Sequence, residues 1–176
     1  MHAVAFTGMP GAGKSEAVKV AEEMGIYIIK MGDEVREEAK KRGIKLTDEN
    51  LGKIADELRK EKGKDIWARK CIEKLKDKDI VVIDGIRNIE EVEAFRQKIK
   101  NFILVAIHAS PKVRYERIAK RGRSDDSISI EKMKERERRE LSWGLGDVIA
   151  MADIVIINEG SLEEFRRKIK EFLEEI

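Results

Sequence analysis

The chain has 176 residues, 37 basic and 35 acidic, for a formal net charge of +2. That length supports one domain with a full-sized core, and the near-balance of charge leaves no basic tail or half for nucleic acid to claim. No apolar run approaches membrane-spanning length, so no membrane-spanning helix and no membrane partner are expected.

The chain starts straight into an apolar run, 2–7, so no secretory leader is expected, and this run is the first expected strand. Directly behind it comes Gly8-Met9-Pro10-Gly11-Ala12-Gly13-Lys14-Ser15, the phosphate-loop pattern G-x-x-x-x-G-K-[ST]. Each position has a chemical reason. Glycines at 8, 11 and 13 let the backbone wrap a phosphate, because they lack a Cβ and tolerate positive φ. Loop N–H groups, and those at the start of the following helix near Glu16, then point at the anion. Lys14 reaches the β- and γ-phosphates of a nucleotide, and the Ser15 hydroxyl is placed on Mg²⁺. The helix behind the loop shows its apolar stripe at Ala17, Val18, Val20, Ala21 and Met24.

A second strand is expected over 26–30. It leads into Met31-Gly32-Asp33-Glu34-Val35-Arg36, which puts Gly32, Asp33 and Arg36 at the edge that holds the phosphate loop. The stretch 31–78 has room for two or three helices, one with an apolar face at Leu51, Ile54, Ala55 and Leu58. Cys71, the one cysteine, reads as a buried apolar residue. It cannot form an internal disulfide or a cysteine-based zinc staple, and a reducing cytoplasm is the expected compartment.

The third strand, 79–84, is continuously apolar until it ends in Asp84-Gly85. After a phosphate loop, such an aspartate is the second magnesium ligand beside Ser15. Arg87 follows and, with Arg36, supplies the bidentate clamps an acceptor phosphate needs. Asn88-Ile89-Glu90-Glu91 resembles a capping box. The fourth strand, 102–107, ends before His108, read as a hydrogen-bonded strand-end residue. Ser110-Pro111 opens a helix that runs to Gly122.

Arg117 and Arg121 lie on one face of that helix, with Arg123 just past its end. Arginines there can close on a transferring phosphoryl group and exclude water. Arg136, Arg138 and Arg139 fall in an Arg/Glu run that reads as a solvated face, with Arg136 favoured to reach the phosphates. Trp67 and Trp143 read as packing residues, and Gly144 and Gly146 beside Trp143 suit a hinge. A fifth strand is expected over 153–158. Ser161 then caps a helix with Leu162, Phe165, Ile169, Phe172, Leu173 and Ile176 on its core face.

Apolar strands alternating with helices predict an open α/β fold. The phosphate loop in this setting makes a P-loop NTPase fold the expectation, with a five-stranded parallel sheet covered by helices. One domain is expected, with its core in 1–30, 79–110 and 150–176, a helical acceptor-binding insertion over 31–78, and a lid region over 111–149. The site reads as one for a small-molecule nucleotide acceptor beside ATP and Mg²⁺, in a monomer or small homo-oligomer.

These motifs resemble nucleoside monophosphate kinases over most of the length. Met31-Gly32-Asp33 through Arg36 resembles the start of their monophosphate-binding helices. Asp84-Gly85-Ile86-Arg87 resembles an Asp-Gly-x-Pro-Arg segment with one residue missing. Gly122-Arg123-Ser124-Asp125-Asp126 resembles the short lid of uridylate–cytidylate kinases. Ala152 through Glu164 resembles the C-terminal strand and helix of dephospho-coenzyme A kinases. The whole is similar to an archaeal family described as adenylate kinase-related or dephospho-coenzyme A kinase-like. The resemblance implies that Asn158, Gly160 and Ser161 border the donor adenine, and it makes AMP a candidate acceptor. The glutamine with which adenylate kinases read the acceptor adenine is missing from 88–93. Two other readings stay open: transfer to a ribose hydroxyl with Asp33 as base, and a nucleotide-binding regulatory module with slow ATPase activity.

Overall fold

The computed structural model describes residues 1–121, the Arg121 side chain excepted, and 130–176. The strands are β1 (His2–Thr7), β2 (Tyr27–Lys30), β3 (Ile80–Asp84), β4 (Asn101–His108) and β5 (Ile154–Ile157). They form one five-stranded sheet in the order β2-β3-β1-β4-β5, and every pairing is parallel. The helices are α1 (Lys14–Glu23), α2 (Met31–Lys41), α3 (Asp48–Lys62), α4 (Ile66–Glu73), α5 (Ile89–Lys98), α6 (Pro111–Arg121), α7 (Ile130–Ser142), α8 (Leu145–Ala150) and α9 (Leu162–Glu174).

The continuous apolar strands are explained by two cores, one on each face of the sheet. Val4 and Phe6 of β1 point to one side, where Ala17, Val18 and Ala21 of α1 pack with Phe165, Ile169 and Leu173 of α9. Ala3 and Ala5 point to the other, against a larger cluster built from α2, α3, α4 and α5, with Val148 of α8. Alternation along β1 therefore buries both faces, as a parallel sheet requires. The insertion over 31–78 holds three helices, and the Trp67 indole N–H ties α4 to α3 through Ala55 O at 3.2 Å. Cys71 and Trp67 are both buried there. Leu145 and Val148 of α8 are also fully buried, so this part of the expected lid region belongs to the core.

The caps read from sequence form, but only in half. Asn88 Oδ1 accepts from Glu91 N at 2.8 Å, and Ser161 Oγ accepts from Glu164 N at 3.1 Å. The reciprocal halves are spent elsewhere: Glu91 accepts from Arg87 N, and Glu164 pairs with Lys168. Thr47 adds an N-cap to α3, accepting from Asn50 N at 3.2 Å. Among the described residues, no helix is long and apolar enough to cross a membrane.

Candidate functional site

The phosphate loop leaves β1 at the centre of the sheet, and Asp84 ends the neighbouring β3 in register with Phe6. Gly8, Gly11 and Gly13 all carry positive φ, at 148°, 81° and 114°. The tightest positions are the outer two. A Cβ on Gly8 would sit 2.3 Å from Ile107 O, and one on Gly13 would sit 2.3 Å from Asn158 Nδ2. Only glycine allows the loop to pass so close to its neighbours.

Lys14 folds back over this loop, its ammonium donating to Gly8 O at 2.9 Å. Burial, helped by the nearby Arg87, pulls its pKa down to about 8. Asn158 braces the loop from below. Its amide donates to Ala12 O at 2.8 Å, while its backbone oxygen accepts from Arg117 Nη2 at 2.6 Å. Arg114 is buried and donates to Pro10 O at 3.0 Å, and it also pairs with Glu137, whose other oxygen takes the Tyr115 hydroxyl at 2.7 Å. Helix α7 is thereby coupled to the loop through α6.

A cleft of about 130 Å³ opens beside Lys14, between α2, α3 and α7. Its polar lining is Arg36, Asp48, Arg59, Arg87, Arg136, Arg139 and Glu140, and its apolar lining includes Val35, Leu51, Ala55 and Trp143. Glu140 is the hub. One oxygen lies 3.1 Å from Arg87 Nε, and the other accepts from Arg136 Nε at 2.8 Å. Burial would push this carboxyl up, but Arg87, Arg136 and Lys14 outweigh it and hold it at about 2. Glu91 is a second hub, fully buried, bonded to Arg59 at 2.9 Å and to Arg87 N at 2.7 Å.

Residues 7–134 match the family model described as AAA domain. A UPF0200/UPF0201 protein of Archaeoglobus fulgidus is 51% identical over 98% of this chain, which spans 55% of that longer relative. A UPF0200 protein of Methanosarcina barkeri is 46% identical over 98% of this chain and 95% of its own. The chain belongs to the UPF0200 family and to the AAA-domain family. In fold, this UPF0200 chain is similar to a shikimate kinase from Acinetobacter baumannii in complex with shikimate. That likeness has a TM-score of 0.58 at 16% identity and covers 99% of this chain and 94% of that one. The chain is thus a nucleotide-binding protein with the P-loop kinase fold.

The UPF0200 chain brings most of the residues singled out by sequence to this one edge. Gly8 through Ser15 form the loop, with Ser15 exposed at its mouth and Asp84 half-buried beside it. Gly32, Arg36, Gly85, Arg87 and Arg136 line the cleft. Gly85, at φ 112°, leaves the chain close to Met31, where a Cβ would stand 3.1 Å from Met31 Cβ. Others are occupied differently. Glu16 is taken up by Arg166 of α9. Asp33 is exposed and bonded to Arg36 at 2.7 Å. Gly160 is exposed in the turn before Ser161. The Arg121 side chain, Gly122 and Arg123, and with them the lid motif over 122–126, lie outside the described residues.

Glu140, Arg59, Glu91, Arg114 and Glu137 were not read from the sequence as site residues, and Arg139 stood behind Arg136 as an alternative to reach the phosphates. Helix α7 carries the one signal that could have found two of them. Its buried positions are Met133, Glu137 and Glu140, so two glutamates fall in phase with an apolar residue on the inward face. The run is therefore not only a solvated face. Arg136 and Arg139 reach the cleft, while Arg138 stays exposed.

The residues present fit a nucleotide phosphate chain and a divalent cation. The glycine cradle has no room for side chains, the Lys14 ammonium lies across it, and the oxygens of Ser15 and Asp84 are hard donors suited to Mg²⁺.

Proposed function

We propose that the chain is an ATP-dependent phosphotransferase that passes the terminal phosphoryl group to a nucleoside monophosphate. The observation that carries this reading is the sharing of Glu140. One buried carboxylate balances both Arg87 and Arg136, with Lys14 close enough to depress it further. Positive charge is left in surplus where donor and acceptor phosphates would meet.

The residues divide the work. Loop N–H groups and Lys14 hold the donor phosphates, and Asn158, Arg114 and Arg117 keep the loop in shape. Ser15 and Asp84 would hold Mg²⁺, which when bound neutralises phosphate charge. Arg36, Arg87 and Arg136 orient the acceptor phosphate and stabilise charge on the equatorial oxygens during transfer. A phosphate oxygen is already an anionic nucleophile, so positioning and charge neutralisation carry the rate without a strong base. A hydroxyl acceptor would want a free carboxylate. Asp33 is engaged by Arg36, and Glu140 is held by two arginines.

Arg36→Ala and Arg87→Ala test the reading. Each should reduce kcat/KM for the accepted monophosphate by about 100-fold or more, as expected for a lost phosphate clamp. If both variants keep full activity toward every accepted monophosphate, the assignment fails.

A further inference from the structure

Among the described residues, the buried side-chain polar atoms without a hydrogen-bond partner are Arg59 Nη1, Arg139 Nε and Glu140 Oε2. All three residues line the cleft beside Lys14. Glu140 Oε2 still has the Arg87 guanidinium at 3.1 Å, but buried polar groups are almost always paired, so the two stranded arginine N–H groups mark where a ligand's acceptors belong.

Glu140 faces the phosphate end. Arg59 and Arg139 are grouped at Trp143, with guanidinium carbons 4.4 Å and 5.7 Å from its ring centroid. Their charges are already balanced, Arg59 by Glu91 at 2.9 Å and Arg139 by Asp48 at 2.8 Å. What each still lacks is an acceptor for one N–H, and a neutral oxygen or ring nitrogen supplies that. The surrounding apolar wall is made by Val35, Leu51, Ala55 and Trp143. Such apolar side chains suit the face of a heterocycle.

Resting on the monophosphate reading above, we propose that Arg59 and Arg139 read the acceptor's base and select one with an exocyclic oxygen. A 6-oxopurine presents O6 and N7 side by side to the two N–H groups, whereas adenine, as in AMP, presents N7 beside an amine donor and leaves one arginine N–H unpaired. The cleft, at about 130 Å³, is contracted compared with the roughly 300–1,000 Å³ of occupied ligand pockets. Entry of the base parts α3 from α7, which meet here through polar contacts: Arg139 with Asp48, and the Trp143 indole N–H with Asp56 Oδ1 at 3.2 Å. Gly52 makes this arrangement possible, since a Cβ there would stand 2.8 Å from both Cζ and Nε of Arg139.

The test is equilibrium binding of IMP, AMP and ribose 5-phosphate to the full chain, with Arg139→Lys and Gly52→Ala beside wild type. Lysine keeps the charge but removes the Nε–H donor. Alanine displaces a flexible guanidinium at a helical position that tolerates it, so folding is kept. Wild type should bind IMP at least about tenfold tighter than AMP, and either variant should bring that ratio toward one. Equal affinity for IMP and AMP in a wild type that binds ribose 5-phosphate overturns this inference and leaves the monophosphate reading standing. A ratio unchanged in both variants also overturns it. Failure of all three ligands to bind overturns both.

Discussion

Glu140 of α7 faces Arg87, just past the end of β3, at 3.1 Å inside the cleft. Neither residue is near the other in sequence, and the contact joins the helix over the cleft to the strand that supplies Asp84. Arg136 reaches the same carboxylate from one turn away.

The first prediction concerns this carboxylate. Glu140 has a folded pKa of about 2 against an ordinary 4.5, so its contribution is present above pH 4.5 and is lost as pH falls toward 2. Glu140→Gln should therefore cost about 3 kcal/mol at pH 7. Urea denaturation across pH should show the gap between variant and wild type closing as pH falls from 4.5 toward 2.

Lys14 behaves in the opposite sense. Its folded pKa of about 8 lies below the ordinary 10.5, so the charged form costs stability at neutral pH, and that cost fades as pH rises from 8 to 10.5. Lys14→Met should raise thermal stability at pH 7, with the advantage shrinking over that window. The same variant should weaken nucleotide triphosphate binding by about 100-fold, from the loss of charge-assisted hydrogen bonds. Calorimetric melting and nucleotide titration read the two effects separately.

The brace beneath the loop gives a third test. Asn158→Asp places a carboxylate where an amide now donates to Ala12 O at 2.8 Å. Two acceptors then face each other in a buried place, at a cost of about 1–3 kcal/mol. Thermal melting should show the loss, and nucleotide affinity should fall with it, because Ala12 lies between the glycines of the cradle.

The phosphate loop and the strands were legible in the sequence, and much of the cleft beside them was not. Gly8–Ser15, Asp84 and the five strands are local patterns, each written in consecutive residues with a fixed chemistry. Arg36 and Arg87 followed because they stand just past strand ends. Glu140, Arg59 and Glu91 sit on charged helices where dozens of similar side chains face solvent, and only packing turns these few inward. The half-formed cap at Asn88 shows the same limit. The spacing predicted a reciprocal bond to Glu91, but tertiary structure gave that carboxylate to Arg59 and Arg87 N.

That second buried pair makes the fourth prediction. Removing one partner leaves an uncompensated buried charge, so Glu91→Gln should cost about 3–5 kcal/mol. Glutamine can keep its oxygen on Arg87 N only by turning its amide donor toward Arg59, so the loss combines the charge with the Arg59 hydrogen bonds. Combining it with Arg59→Met should recover part of the cost, with a coupling of about 1 kcal/mol or more in a denaturation double-mutant cycle.

Phosphoryl transfer itself is measured most directly by supplying Mg-ATP with each nucleoside monophosphate in turn, and with dephospho-coenzyme A, and following products by phosphorus NMR. A nucleoside diphosphate should appear in step with ADP, at a rate at least about tenfold above hydrolysis without acceptor, because a closed site excludes water. ADP and inorganic phosphate released at one rate whatever acceptor is present, or phosphate arriving only on the ribose hydroxyl of dephospho-coenzyme A, would contradict the monophosphate kinase assignment.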